Sequence, residues 1–180
     1  GITAGVETVE EAIEAFGHAK EVSRSVIVER HIYGEDHRLL VINHQLVAAA
    51  KRTPAHVIGD GKSTIQGLID VINSDPRRGY GHEKVLTAIT VNEMTLSILE
   101  ANSLTVESVL PEGQKLDLKD TANLSTGGTA EDLTEIVHPY NKFMAERISK
   151  IIGLDICGID IMTTDISVPL PETKGAVLEV

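Results

Sequence analysis

The chain has 180 residues, 42% hydrophobic but only 3% aromatic and without Trp, which predicts one core of Ile, Val, Leu and Ala with room for a lobe beside it. Its 16 basic against 27 acidic residues leave a formal charge of -11, which argues against non-specific nucleic-acid or anionic-membrane binding but leaves nucleotide binding to local donors and metal. A single Cys157 allows no internal disulfide, so a reducing cytoplasm is expected; no 18-residue apolar run or basic-then-apolar leader marks a membrane span or a signal peptide.

Thr8–Lys20 opens on a Thr cap, has acids in its first turn and sets Ala12, Ile13 and Phe16 on one face, predicting a surface helix. Ser25–Arg30 is a short β-branched run, predicted as a strand closing at Glu29. Polar Gly34–Arg38 leads into a hairpin, Leu39–Ile42 and Leu46–Ala50 around Asn43-His44, with Lys51 and Arg52 at its end. Thr53–Gly61 is a turn-rich crossing. Ser63–Ser74 begins with the S-x-x-Q capping pattern and spaces Ile65, Leu68, Ile69 and Ile72 as a helix. Asp75–Glu83 is a loop holding Arg77, Arg78 and His82, and Asn92–Asn102 a capped helix with Met94, Ile98 and Leu99 apolar. Leu104–Leu110 predicts a short helical turn, followed by a reverse turn at Pro111-Glu112-Gly113 and a strand over Lys115–Leu118.

Asn123–Ala130 is a loop of small residues. His138–Ile152 is the longest predicted helix, with Pro139 in its first turn, Phe143, Met144, Ile148 and Ile151 on one face, and Gly153 as its stop. Gly153–Val180 supplies two apolar strands, one carrying Asp160 and the other Glu179, joined by a polar, Pro-marked loop. With no regular βαβ alternation, the expected fold class is α+β on an antiparallel sheet flanked by helices.

Several constellations have both a chemical and a bland reading. Asp160 and Glu179, on neighbouring strands, would repel unless a cation sits between them, which suits Mg²⁺ shared with phosphates; as edge-strand acids they would face water. Lys51 and Arg52 fit phosphate neutralisation or a solvated strand end. In Asn123-Leu124-Ser125-Thr126-Gly127-Gly128-Thr129, the glycines let backbone N–H groups approach a ligand and the hydroxyls add donors, or the stretch is a flexible connection. Arg77-Arg78-Gly79 fits a carboxylate-binding corner or a solvated turn. His37, His44, His56 and His82 share no metal spacing, and with one Cys a zinc site is not expected.

Taken together, VIVERHIYGEDHRLLVINHQLVAAAKRTPAHVIGDGKSTIQGLIDVINSDPRRGYGHEKVL, LKDTANLSTGGTAEDLTEIVHPYN, IIGLDICGIDIM and GAVLEV resemble the ATP-grasp region of the cyanophycin synthetases over nearly the whole chain. The ATP-grasp half of bifunctional glutathione-synthesising enzymes is similar in the PAHVIGDGK and NLSTGG segments. The resemblance implies the C-terminal part of an ATP-grasp domain, an inserted helical lobe over residues 63–120, and both ends cut relative to the whole enzyme. It implies an ATP-dependent carboxylate–amine ligase that adds aspartate to an aspartate/arginine polymer primer, using ATP and Mg²⁺, as a cytoplasmic homo-oligomer without nucleic-acid or membrane partners. Alternatives are glutathione-type ligation and a non-catalytic peptide-binding module.

By position the resemblance makes Glu29 the adenine-hinge acid, Asp36 the ribose-binding acid, and Asp160 and Glu179 the metal ligands. It sets Arg38, Arg52 and Asn123 at the reacting end, with Lys51, Ser125, Thr126, Gly127 and Gly128 on the nucleotide. The family's third metal ligand, an Asn two residues after the final Glu, falls beyond Val180, and the phosphate-binding lysine and glycine-rich lid fall before Gly1. The expectation is that this stretch by itself does not catalyse ligation.

Overall fold

In the computed structural model, which describes residues 3–81 and 83–180, the first element is α1, Val9–Val22. Thr8 caps it reciprocally: its hydroxyl accepts from Glu11 N at 3.2 Å, and the Glu11 carboxylate accepts from Thr8 N at 3.2 Å. No α1 residue is buried, and Ile13 and Phe16 are exposed. The strand predicted over Ser25–Arg30 does not form; Ile27 and Val28 are exposed, because β-branched propensity yields a strand only where a neighbour completes the ladder. These elements belong to one compact unit, Gly1–Tyr33, and all that follows to a second, Gly34–Val180.

The second unit starts with the expected hairpin, β1 (Glu35–Ile42) and β2 (Gln45–Thr53). Asn43 and His44 both have positive φ, 51° and 60°, the twist a two-residue hairpin requires. Glu35–Arg38, predicted as lead-in, is strand, because its charged side chains meet opposite charges on both neighbouring strands. Then follow β3 (His56–Ile58), α2 (Ile65–Asn73), β4 (Arg78–Gly79), β5 (Leu86–Thr87), α3 (Glu93–Ala101) and β6 (Lys115–Asp117). The cap of α2 is Thr64, accepting from Gly67 N at 3.1 Å, rather than Ser63, whose hydroxyl donates to Asp60. Leu104–Leu110 is not helical; a bridge from Val109 to Thr64 replaces the predicted turn of helix. His82 lies outside the described residues.

A 3-10 turn, Leu124–Thr126, leads into β7 (Thr129–Asp132), and a second, Thr134–Ile136, precedes α4 (Pro139–Ile152), β8 (Ile156–Thr163) and β9 (Ala176–Glu179). The main sheet is ordered β7-β2-β1-β8-β9 and every pairing in it is antiparallel, so the α+β expectation holds. Its inner face packs Leu39, Val41, Ala49, Cys157, Ile159 and Ile161 with Ala145 of α4. A second cluster, including Val57, Ile65, Ile69, Leu99, Leu110, Leu116 and Leu118, gathers α2, α3 and the β3–β6 pair. No helix of the described residues is long and apolar enough to cross a membrane.

The inner face of α4 is only partly the one its apolar spacing predicts: Met144 and Ile148 pack against the core. Asn141, Ala145 and Ser149 are buried, whereas Phe143 and Ile151 are exposed. The stripe is polar because it satisfies backbone groups of the adjoining loops. Asn141 Nδ2 donates to Ile166 O (2.9 Å) and Val168 O (2.8 Å), and its Oδ1 accepts from Leu170 N (2.9 Å). That one side chain fixes the connection between β8 and β9. Asn141→Ala should lower unfolding free energy by about 2–3 kcal/mol, because it orphans three buried backbone groups; urea denaturation measures it.

His37, on the inner face, is 1% exposed, and burial pushes its pKa below the usual 6.5. Below 6.5 the unfolded chain takes up a proton that the folded one refuses, so stability is present above that pH and declines as pH falls through it towards the folded value. The urea midpoint should therefore fall between about pH 7.5 and pH 5 more steeply in wild type than in His37→Gln.

Candidate functional site

Strand alternation puts Asp36 and Arg38 of β1, Arg52 of β2 and Asp160 of β8 on the outer face of the sheet, opposite the core packed on α4. Register makes them neighbours: Asp36 lies across from Arg52, Arg38 across from Asp160, and Asp160 across from Glu179 of β9. Asp160 is buried and Glu179 exposed. Arg52 Nη2 donates to Asp160 Oδ2 at 2.9 Å and to Asp36 Oδ1 at 2.5 Å, while its Nε reaches Asp36 Oδ1 at 2.9 Å. Arg38 Nη2 donates to Asp160 Oδ2 at 3.0 Å, and its Nε forms an ion pair with Oδ1. Burial opposes the charge of Arg52, but the hydrogen bonds it donates to Asp36 and Asp160 outweigh that and hold its pKa above the ordinary value.

Gly158, two residues before Asp160, makes room for this arrangement. A Cβ there would stand 2.7 Å from Arg38 Nη1 and 2.9 Å from its Cδ, so the arginine lies across the bare backbone of β8. The sequence carries this signal only as a glycine inside an apolar strand, the mark of a close approach.

A cleft of about 480 Å³ opens at this face, lined by Arg38, Arg52, Lys84, Val85, Thr87, Asn123, Leu124 and Ser125. Of the residues singled out from sequence, Arg38, Arg52, Asn123 and Ser125 line this one cleft, and Lys84, Val85 and Thr87 are lining residues that sequence reasoning did not single out. Gly127 and Gly128 serve packing: a Cβ on Gly127 would stand 2.8 Å from Ile89 Cγ1, and one on Gly128 2.7 Å from Thr53 O. Their N–H groups are already donated, to Leu124 O and Asn123 O at 3.2 Å each, and the Thr126 hydroxyl to Asn123 O.

Lys51 is not part of the cluster. It projects from the other face of β2 and pairs with Glu131 (3.2 Å) and Glu35 (3.5 Å); its pKa is raised, chiefly by the bond to Glu131. Glu29 lies in the first unit and Asp36 in the second. Both bonds from Arg52 fall on Asp36 Oδ1, leaving Oδ2 for another donor. Of the Arg77-Arg78 pair, Arg77 is an exposed partner of Asp75, as in a solvated turn, while Arg78 is buried.

The donor set fits a hard cation such as Mg²⁺. Asp160 Oδ1 is a buried oxygen that accepts no hydrogen bond and is paired only with Arg38 Nε, and the register sets Glu179 across from Asp160 in the β8–β9 pair. No cluster of three or more His, Cys, Asp or Glu suited to a metal occurs among the described residues. Two carboxylates are nonetheless what Mg²⁺ takes from a protein when substrate phosphates and water complete its shell.

No family profile matches the sequence. Cyanophycin synthetase from Trichormus variabilis is 54% identical over 180 residues, which is all of this chain and 20% of that protein. The cyanophycin synthetase of Synechocystis sp. is 53% identical over 182 residues, again all of this chain and 21% of its own length. The glutathione biosynthesis bifunctional protein GshAB of Clostridium perfringens is 34% identical over 155 residues, 86% of this chain and 20% of that one. The crystal structure of a bifunctional glutathione synthetase from Pasteurella multocida superposes with a TM-score of 0.71 at 30% identity, covering 99% of this chain and 24% of that one. The fold expected for the C-terminal part of an ATP-grasp domain is the fold found, and the chain spans about a fifth of the length of the cyanophycin synthetases it is similar to along its whole length.

Proposed function

We propose that the chain is the metal- and phosphate-binding part of an ATP-dependent carboxylate–amine ligase of the cyanophycin-synthetase type, adding aspartate to the end of an aspartate/arginine polymer. In this reaction a substrate carboxylate oxygen attacks the terminal phosphorus of ATP and ADP leaves. The amine then attacks the acyl phosphate, expelling phosphate and losing a proton as the amide forms. The observation that carries the reading is the Arg38–Asp160–Arg52 cluster facing Glu179 at the mouth of a cleft. The identity of 54% to a cyanophycin synthetase, against 34% to GshAB, favours the cyanophycin-type substrate over glutathione-type ligation.

Asp160 and Glu179 would hold Mg²⁺, which when bound neutralises phosphate oxygens and so favours their transfer. Arg38 and Arg52, fixed by Asp160 and Asp36, present guanidinium donors to the phosphoryl or carboxylate oxygens without having to be ordered on binding. Asn123 and Ser125, which line the same cleft, offer an amide and a hydroxyl. Asp36 Oδ2 remains for a ribose hydroxyl, and Glu29 is proposed for the adenine. Lys51, committed to Glu131 and Glu35 on the other face, supports the sheet in this reading rather than the nucleotide.

Titration of the full-length protein carrying this chain with ATP, with and without Mg²⁺, tests the proposal. Glu179→Gln, an exposed change, should weaken Mg²⁺-dependent ATP binding at least about tenfold, a loss of ~1.4 kcal/mol, and Asp160→Asn should do the same. Unchanged Mg²⁺–ATP binding and turnover in both variants would exclude the metal site.

A further inference from the structure

Lys84 lines the cleft together with Arg38 and Arg52, and its surroundings are built to present it. It follows β4 in the loop closed by the parallel pairing of Gly79 with Thr87, with Ala88 N donating to Gly79 O at 2.7 Å and Leu86 N to Arg77 O at 3.0 Å. The base of the loop is pinned by Arg78, which is 8% exposed. Its Nη1 donates both to Thr87 O (2.6 Å), on the wall that carries Lys84, and to Gly127 O (3.0 Å), at the end of the Asn123–Ser125 wall. A guanidinium buried on two neutral carbonyls is costly, and desolvation lowers its pKa. What that cation does is tie the two walls together.

The stem of Lys84 lies flat on Gly79: a Cβ added there would stand 2.9 Å from Lys84 Cγ and 3.2 Å from Cδ. Arg38 and Arg52 are balanced by Asp160 and Asp36, whereas Lys84 has no ion pair among the described residues, so it is the uncommitted cation of the cleft. A chain with a formal charge of -11 repels an acidic ligand, and only a local positive group can reverse that. Beside Lys84 the lining is Val85, Thr87 and Leu124, carbon and methyl surface that suits a peptide better than a triphosphate.

We propose that Lys84 is the substrate-selecting residue of the cleft, pairing with a carboxylate of an acidic peptide acceptor, and that Arg78 and Gly79 are the residues that position it. This rests on the ligase reading for the acceptor's role, but the binding it describes is measurable without turnover.

The test is calorimetric binding of an aspartate oligopeptide with a free C-terminal carboxylate to the full-length protein, alongside Mg²⁺–ATP binding and the KM for the peptide. Lys84→Gln is expected to weaken peptide binding and raise its KM about 5–10-fold, in line with loss of one charge-assisted contact, with kcat and ATP affinity unchanged. Lys84→Arg should restore most of the affinity, and the difference between wild type and Lys84→Gln should shrink in high salt. Gly79→Ala, which displaces the lysine stem but leaves the charge, should fall between the two.

Equal peptide affinity in wild type and Lys84→Gln overturns the proposal, as does a loss confined to ATP. If wild type binds the peptide through Lys84 but neither binds nor turns over Mg²⁺–ATP, the ligase reading fails and the acceptor site stands.

Discussion

The ion pairing around Asp160 is the constraint on which the outer face of the sheet depends. A carboxylate this deeply buried is tolerated only when paired, and here two guanidiniums from two different strands converge on it. Removing Arg52 would leave Asp160 short of a partner and Asp36 without its own, a loss on the scale of about 3–5 kcal/mol for a broken buried pair. The network also fixes register. A slip of one residue along β1 would turn Asp36 and Arg38 into the core and bring His37, Leu39 and Val41 to the surface, so hydrophobic burial and charge pairing select the same alignment.

That alignment delivers Asp160 to one side of the prospective cation; Glu179 arrives by a longer route. The connection from β8 to β9 is held by Asn141, which satisfies three backbone groups at once, and the register then sets Glu179 across from Asp160. Gly158 completes the arrangement by letting Arg38 lie flat on β8. Hydrogen bonding in the core and a missing side chain on the surface thus serve one geometry, at opposite faces of the same sheet.

What the sequence revealed and what it hid divide along the range of the interaction. The hairpin at Asn43-His44, the caps at Thr8, Asn92 and His138, and the stop at Gly153 depend on residues within a few positions of one another, and each is present. The antiparallel neighbours carrying Asp160 and Glu179 were legible from two apolar runs around a Pro-marked loop. Ser25–Arg30 misled because strand propensity says nothing about whether a partner strand exists. The apolar spacing of α4 found Met144 and Ile148 but also turned exposed Phe143 and Ile151 inward, and it missed Asn141 and Ser149, buried for the backbone groups they satisfy, which no periodicity reports. The Gly127-Gly128 pair looked like a ligand cradle, yet its N–H groups are used within the loop and its bare backbones pack against Ile89 and Thr53. Lys84 went unnoticed because its place depends on a two-residue parallel pairing and a buried arginine about fifty residues from its carbonyl partner in the Asn123–Gly128 loop.

Charge arithmetic at the proposed metal site gives these contacts a common purpose. Arg38 and Arg52 balance Asp36 and Asp160, and Glu179 adds one negative charge, so the outer cluster carries a net single negative charge before any cation arrives. A divalent ion held by Asp160 and Glu179 would turn that into a single positive charge, which attracts phosphate where the unloaded cluster repels it. The geometrically aligned hydrogen bonds of both guanidiniums fall on Asp160 Oδ2, while Oδ1 has only its ion pair with Arg38 Nε, so Oδ1 is the oxygen at which a cation would compete with a single guanidinium contact. On this reading a metal on Oδ1 would take the place of the Arg38 Nε ion pair, while Oδ2 would keep its hydrogen bonds from Arg38 Nη2 and Arg52 Nη2, so the two phosphate-facing cations would stay oriented through one oxygen.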